Sequence, residues 1–308
     1  MTEDIEEIKE EQPLVSVVIP VYNRSKELSR AIKSVLNQTH QHFEILVVDD
    51  GSQEDLKAVC DFFNDQRIKF LRNDIHTNAN VARNRGIKEA KGEYVAMLDS
   101  DDTYLPHHLN RRIEKIKEWN CDGIFGSAYI DNGEERTLKL SRPLQKGELM
   151  INYLLSDGFA PTPSHFYKTS AAKEIMWDES LFRHQDYDFS VRFAEKYSFK
   201  SDYEPTIKIN WAHVKTLSNE YFYNCVKYYS LIEKEIKTPN KIKYLFLMLN
   251  LSKNNIINKD IRLFYKKQLL KNIKFLSLSQ YLEINNAMHV LMRIRYRLKF
   301  SIITLLKI

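Results

Sequence analysis

The chain has 308 residues, of which 43% are hydrophobic and 28% are charged, which are ordinary values for a folded globular protein. This composition excludes disordered, collagen-like and mucin-like proteins, and the length predicts about two domains. Cys60, Cys121 and Cys225 form no CxxC pair, which argues against a disulfide framework or structural zinc and favours a reducing compartment.

The net charge of +5 is distributed unevenly along the chain. Residues 1–12 carry one lysine against six acidic residues, whereas residues 221–308 carry 17 Lys and Arg residues against four acidic ones. We therefore predict an acidic N-terminal tail over 1–12 and a basic C-terminal region that meets an anionic membrane or nucleic acid. Because there is neither a signal-peptide pattern nor a run as long as a membrane span, we expect a cytoplasmic protein.

Apolar segments and amphipathic helices alternate over the first hundred residues. Apolar, β-branched runs predict strands at 14–21, 43–48, 68–71 and 94–98. The first of the intervening helices should begin near Asn23 and Ser25, whose side chains can cap it. This alternation predicts an α/β fold, a mostly parallel sheet covered by helices, with ligands beyond the carboxyl ends of the strands.

Two acidic clusters lie directly after predicted strands. Asp49 and Asp50 follow the second strand, and the run from Asp99 to Asp102 follows the fourth, so both clusters should open on one crevice. An Asp-x-Asp triplet at such a position can bind Mg²⁺ or Mn²⁺ that bridges to a diphosphate. The alternative interpretations are a plain turn at Asp49–Ser52 and a helix cap at Asp101.

The chain changes in character beyond Pro106. The pattern there predicts a helix over 108–119, a hairpin around 131–134, a helix that begins near Asp186 and an extended segment over 199–211. From about residue 216 the sequence is rich in Lys, Asn, Ile and Leu and predicts helices.

Five motifs occur in the order seen in family 2 glycosyltransferases, and this resemblance covers about residues 13–215. The motifs are VSVVIPVYNR at 15–24, VVDDGS at 47–52, ARNRG at 82–86, GEYVAMLDSDD at 92–102 and HQDYDF at 184–189. The resemblance implies the GT-A nucleotide-sugar fold, inverting chemistry and a divalent cation, Mn²⁺ or Mg²⁺. It divides the chain into a GT-A domain at 13–215, with a nucleotide-binding half at 13–102 and an acceptor half at 103–215, and a basic helical region at 216–308.

The resemblance also implies roles for single residues. Those implied to contact the nucleotide-sugar are Pro20, Tyr22, Asp49, Asp50, Arg83, Asn84, Asp99 and Ser100. Among them Asp50 would accept the uracil N3–H, so a UDP-sugar is the favoured donor. Asp101 and His213 would bind the metal, and Asp186 would be the catalytic base. Gln185 stands where the family usually has Glu, which removes one charge on the acceptor side.

These implied roles agree with the chemistry of sugar transfer. A metal neutralises the diphosphate as it leaves, and a carboxylate accepts the proton of the acceptor hydroxyl. We expect the helix N-terminus to hold Asp186 ionised. In-line attack needs only one base and converts an α-linked donor into a β-linked product. By analogy with the family, the acceptor is a glycan or lipid-linked glycan of a surface polysaccharide or lipopolysaccharide.

Other classes of protein fit the sequence less well. The eight glycines contain no GxGxxG set, which excludes a nicotinamide dehydrogenase. No RRM, KH or zinc-finger signature accompanies the basic region, so we expect no nucleic acid partner. A nucleotidyltransferase should show a basic phosphate-binding loop near the first strand. A catalytically inactive homologue that binds nucleotide-sugars is the remaining alternative, and the joint presence of Asp50, Asp99, Asp101 and Asp186 argues against it.

The last segment, 287–308, combines apolar and basic residues. On a helix, one apolar stripe contains Leu291, Ile294, Leu298, Ile302 and Leu305. Because Arg and Lys residues flank this stripe, we predict peripheral attachment to the anionic cytoplasmic face of the inner membrane. The alternatives are a helix packed on its own domain or on a second subunit of a homo-oligomer, and a strand.

Overall fold

A computed structural model describes residues 12–156, 158–211, 218–253 and 258–272. The chain divides into two compact units, Met1–Lys215 and Thr216–Ile308. The described residues of the first unit form a nine-stranded sheet with helices, and those of the second unit are mainly helical. The predicted α/β class is therefore confirmed.

The predicted elements of the first unit occur in their expected order. The strands are β1 (Val15–Val21), β2 (Phe43–Asp49), β3 (Ile68–Arg72), β4 (Tyr94–Met97), β5 (Thr103–Tyr104), β6 (Gly123–Asp131), β7 (Arg136–Lys139), β8 (Phe166–Lys168) and β9 (Phe199–Asn210). The helices are α1 (Ser25–Leu36), α2 (Leu56–Phe62), α3 (Ala79–Glu89), α4 (His108–Glu118), α5 (Met150–Ser156), α6 (Thr169–Ile175) and α7 (Gln185–Lys196), with a 3₁₀ turn at Thr162–Ser164. Of these elements, β5, α5, β8 and α6 are additional to the predicted ones.

The first four strands form the parallel part of the sheet. Its order begins β3-β2-β1-β4, and β1 lies in register with β2 from Val15 beside Phe43 to Val21 beside Asp49. Every residue of β1 and β2 is buried, which explains their nearly continuous apolar sequence. The carboxyl ends of β1, β2 and β4 therefore reach one edge of the sheet, and the acidic clusters follow two of these ends.

The remaining strands make the sheet mixed. Antiparallel pairing joins β4 to β8, β8 to β6, β6 to β7 and β9 to β5, whereas β6 and β9 are parallel. The predicted hairpin is confirmed by β6 and β7, whose connection lies over 132–135. The sheet thus changes from parallel to antiparallel pairing beside β4, the strand that leads into Asp99.

The predicted cap of α1 is wrong. The N-cap residue is Arg24, which makes no cap hydrogen bond with its side chain, and Ser25 is already helical. Asn23 has a φ of +48°, and its side-chain oxygen accepts hydrogen bonds from the backbone N–H groups of Gln53 and Glu54 instead. The side chain of Asn23 therefore holds the loop after β2 against the end of β1.

A buried ion pair and a buried aromatic cluster stabilise the part of this unit that follows residue 102. Arg112 of α4 is fully buried, and its Nη1 lies 2.8 Å from Asp202 of β9, which also pairs with the more exposed Arg111. His165 is buried among Tyr167 and other aromatic rings. Burial lowers the pKa of His165 to about 3, so this imidazole is neutral.

The described part of the second unit consists of helices. They are α8 (Asn219–Ile232), α9 (Thr238–Lys253) and α10 (Lys259–Lys271), and a buried cluster that includes Phe222, Tyr229 and Tyr265 packs within the unit. Among the residues that the structure describes, no helix has the length and apolar character that a membrane span requires. The acidic residues 1–11, His213 and the segment 287–308 lie outside the described residues.

Candidate active site

Two clefts open at the edge of the sheet where β1, β2 and β4 end. The first cleft has a volume of about 400 Å³ and is lined by Pro20, Val21, Tyr22, Arg24, Asp50, His76, Ala79, Ala82, Arg83, Asp99, Ser100 and Asp101. It therefore collects six of the eight residues for which the resemblance implied nucleotide-sugar contacts. Asp49 and Asn84 are the two that do not line it.

The second cleft has a volume of about 370 Å³ and contains the predicted base. It is lined by Asp99, Asp101, Asp102, Lys139, Ile209, Asn210, Trp211, Asp186, Tyr187 and the segment 158–163. Asp99 and Asp101 line both clefts. A molecule bound in the first cleft would therefore meet one bound in the second at these two carboxylates.

The neighbouring residues Asp49 and Asp50 point in different directions because successive residues of an extended chain face opposite sides. Asp49 is fully buried, lies 2.7 Å from the Arg72 guanidinium and accepts the backbone N–H of Ser52. Its carboxylate therefore fastens the turn after β2. Asp50 faces the first cleft, where the imidazole of His76 contacts it.

Arg83 and Asn84 of α3 are likewise separated by their contacts. Arg83 lines the first cleft, and its Nη2 donates to Asp99 Oδ1 over 2.7 Å. The Asn84 amide instead donates to the backbone carbonyl of Trp177 and accepts the Trp177 N–H, at 2.9 Å and 2.7 Å. Asn84 therefore holds the segment before α7, while Arg83 orients a carboxylate at the junction of the clefts.

Asp101 and Asp102 occupy an environment that opposes negative charge. Burial, together with the charge of Asp99, raises the pKa of Asp101, although Arg24 lies 2.5 Å from its Oδ2. Burial raises the pKa of Asp102 well above its usual value. The Asp102 carboxylate accepts a hydrogen bond from the backbone N–H of Asn210. A cation at this junction would relieve the repulsion between the carboxylates.

The carboxylate oxygens at the junction suit a hard divalent cation whose remaining ligands come from the bound substrate. Over the described ranges, no three His, Cys, Asp or Glu side chains converge into a metal cage. Mg²⁺ and Mn²⁺ do not need one, because one or two carboxylates with phosphate oxygens and water suffice. Asp99 and Asp101 offer such a pair, whereas His213, the other implied ligand, lies outside the described residues.

Asp186 lies in the first turn of α7, as predicted, and lines the second cleft. We expected the helix N-terminus to hold it ionised, but burial acts in the opposite direction and, with the charge of Asp99, raises its pKa to about 6. The group is then about nine-tenths ionised at pH 7. Asp188 does not line the cleft and pairs with Arg192 at 2.6 Å.

Sequence reasoning missed several residues of both clefts. His76 and Arg24 line the first cleft, and Lys139, Phe159 and Trp211 line the second. Arg24 is part of the VYNR motif, which could have indicated it. The others stand in segments without a motif, and only the tertiary fold brings them to the site.

Comparisons with known proteins agree with this arrangement. The family profile described as Glycosyl transferase family 2 matches residues 16–176. A protein named as an uncharacterized glycosyltransferase of Methanocaldococcus jannaschii is 28% identical over 254 residues, which cover 72% of this chain and 88% of that protein. The Escherichia coli protein named UDP-Glc:alpha-D-GlcNAc-diphosphoundecaprenol beta-1,3-glucosyltransferase WfgD is 36% identical over 130 residues, which cover 42% of this chain and 51% of WfgD.

The fold is also that of a solved glycosyltransferase structure. The crystal structure of S. aureus TarS 1–349 in complex with UDP-GlcNAc superposes with a TM-score of 0.57 at 17% sequence identity. The match covers 89% of this chain and 79% of the TarS chain. The predicted GT-A fold is thereby confirmed.

Proposed function

The chain belongs to glycosyl transferase family 2, and on that premise we propose that it transfers a sugar from a nucleotide donor to a glycan hydroxyl with inversion. The observation that carries this proposal is the meeting of two clefts at Asp99 and Asp101, with Asp186 in the second cleft. One cleft suits the donor and the other the acceptor, and their shared wall is where the sugar would pass between them.

A UDP-sugar is the donor that we propose. Tyr22 supplies an aromatic face in the first cleft, and Asp50 supplies a carboxylate that can accept a ring N–H of a pyrimidine. Arg24 and Arg83 line the same cleft and can bind phosphate oxygens. The name of the E. coli protein WfgD specifies UDP-Glc, which supports the same class of donor.

Mn²⁺ or Mg²⁺ is the cofactor that we propose for the junction. Asp101 would hold the cation with Asp99 beside it, and the contribution of His213 rests on the resemblance alone. A cation bound there neutralises the charge that develops on the departing diphosphate. Arg24 now pairs with Asp101, so a cation and Arg24 would compete for that carboxylate.

Asp186 is the base that we propose. Its carboxylate accepts the proton of the acceptor hydroxyl while the hydroxyl oxygen bonds to the anomeric carbon of the donor sugar. The bond from that carbon to the diphosphate oxygen breaks on the opposite face, so an α-linked donor gives a β-linked product. Positioning of both substrates supplies much of the rate enhancement in such a reaction.

The second cleft suits a glycan acceptor. Phe159, Tyr187 and Trp211 line it and offer aromatic faces to the C–H groups of sugar rings. The Lys139 ammonium lies 4.5 Å from the Phe159 ring centre and 5.6 Å from that of Trp211. A cation there suits an acceptor that carries an anionic group, such as the diphosphate of a lipid-linked glycan. We further propose that the product enters a surface polysaccharide and that 287–308 brings the enzyme to the membrane that presents the acceptor.

The proposal is tested with the full chain, a panel of UDP-, GDP- and dTDP-sugars, Mn²⁺ and a lipid-diphosphate-linked N-acetylglucosamine acceptor. We expect transfer from a UDP-sugar and a β-linkage in the product by NMR. Asp101→Asn should abolish transfer and Mn²⁺-dependent UDP binding, whereas Asp61→Asn on the exposed face of α2 should change neither. Donor binding without transfer to this acceptor would favour the inactive homologue, and full activity of Asp101→Asn in EDTA would refute the metal assignment.

A further inference from the structure

The His76 side chain lies in the first cleft in contact with both residues assigned to the nucleobase. Its ring stacks on the Tyr22 ring, with centroids 3.7 Å apart and planes 16° from parallel. Its Nδ1 lies 2.9 Å from Asp50 Oδ2. The same nitrogen is hydrogen-bonded to the Asp50 backbone carbonyl at 3.3 Å, so Nδ1 carries a proton and lies beside the Asp50 carboxylate.

Three hydrogen bonds and the His76 ring surround the Asp50 carboxylate. An ionised carboxylate offers about four lone-pair positions. Oδ1 accepts from Asn73 Nδ2 at 2.9 Å and from Thr77 Oγ1 at 2.8 Å. Oδ2 accepts from the Thr77 backbone N–H at 2.9 Å, and His76 Nδ1 also lies 2.9 Å from it. A ring N–H of a nucleobase can reach Oδ2 from the cleft only when the His76 ring moves away.

His76 is the neighbour of this carboxylate that is free to leave. It alone among the four contacting groups belongs to a residue that lines the cleft, and its side chain is 49% exposed. The Thr77 N–H is part of the backbone, and the Asn73 amide is itself held by Arg85 at 2.9 Å. The His76 backbone packs against Gly51 (φ +77°), where an added Cβ would lie 2.7 Å from His76 N. Rotation of the side chain is therefore the movement that frees Asp50.

We infer that His76 is an internal substitute for the nucleobase, which a pyrimidine nucleotide must displace in order to bind. The imidazole presents what a uracil ring would present, a planar face to Tyr22 and a ring N–H to Asp50. This inference rests on the proposed function, because it takes the first cleft as the donor site. His76 would thus weaken donor binding. It would also favour release of the UDP product, because its side chain returns to the nucleobase site that the product leaves.

The test compares UDP binding by calorimetry for the full wild-type chain and its variants in the presence of Mn²⁺. His76→Ala removes one stacking contact and one hydrogen bond that UDP must replace, so we expect its Kd for UDP to be about tenfold lower. His76→Phe keeps a ring on Tyr22 but leaves Asp50 free and should lie between the two. His42→Ala is the control, because His42 is exposed and stands at the opposite end of β2 from Asp50. This variant should bind UDP as the wild type does.

NMR of the wild-type chain gives a readout that does not depend on a variant. The imidazole protons of His76 should lose the ring-current shift of Tyr22 when UDP is added. Unchanged or weaker UDP binding by His76→Ala, or His76 signals that do not respond to UDP, would overturn the inference. Failure of the proposed donor site looks different, because then neither the wild type nor His76→Ala would bind UDP, and Asp50→Asn would have no effect.

Discussion

The pKa of Asp186 predicts where sugar transfer is lost in acid. Burial raises this pKa to about 6, and the base must be ionised to accept a proton. Activity should therefore be present above pH 6 and lost as the pH falls through it. The ionised fraction falls from about 0.9 at pH 7 to about 0.1 at pH 5, so kcat/KM should fall about tenfold over this range. A solvent-exposed aspartate would lose almost nothing before pH 5.

The assay is kcat/KM for transfer between pH 5 and pH 8, because this parameter reports the ionisations of the free enzyme. Asp186→Asn should retain UDP binding, lose about 10²- to 10⁴-fold in rate, and show no acid limb with a midpoint near pH 6. Asp188→Asn is the matched control on the same helix, and its activity and pH profile should stay close to the wild type. A flat wild-type profile from pH 7 to pH 5, or an unchanged acid limb in Asp186→Asn, would refute the assignment.

Two further predictions concern stability. Because the pKa of buried His165 is lowered to about 3, the unfolded state binds more protons below pH 6.5. The free energy of unfolding should therefore fall by about 1.4 kcal/mol for each pH unit from pH 6.5 towards pH 3, and His165→Gln should lose this component in urea denaturation at pH 6.5 and 5.5. Asp202→Asn leaves buried Arg112 without its counter-charge and should cost about 3–5 kcal/mol. Arg111→Met, which removes the partly exposed partner, should cost clearly less, and equal losses would contradict this account.

Much of the donor side could be predicted from the sequence because of how a parallel sheet is built. Strands buried on both faces have nearly continuous apolar sequences. The predicted bounds of β1, β2 and β4 therefore agree with the structure to within one or two residues. The carboxyl ends of these strands share one edge of the sheet, so the strand order alone predicts that Asp50, Asp99 and Asp101 lie close together.

The remaining features depend on contacts that no local pattern records. The VVDDGS motif contains both Asp49 and Asp50, but only Asp50 faces the first cleft, because the Asp49 side chain pairs with Arg72. Asn23 is a residue type that often caps helices, but its side-chain oxygen instead accepts a hydrogen bond from the loop after β2. The pKa of Asp186 depends on how deeply the folded chain buries it, which the helix position alone did not reveal.

The order in which the chain supplies the two clefts has a consequence for how such enzymes diversify. The first cleft uses residues between 20 and 101, and apart from Asp99, Asp101 and Asp102 the walls of the second cleft come from residues 139–211. Under the proposed function, the donor and acceptor specificities would be encoded in consecutive stretches of one gene. Mutation or recombination in the later stretch would then redirect the enzyme to a new acceptor while the donor preference is kept.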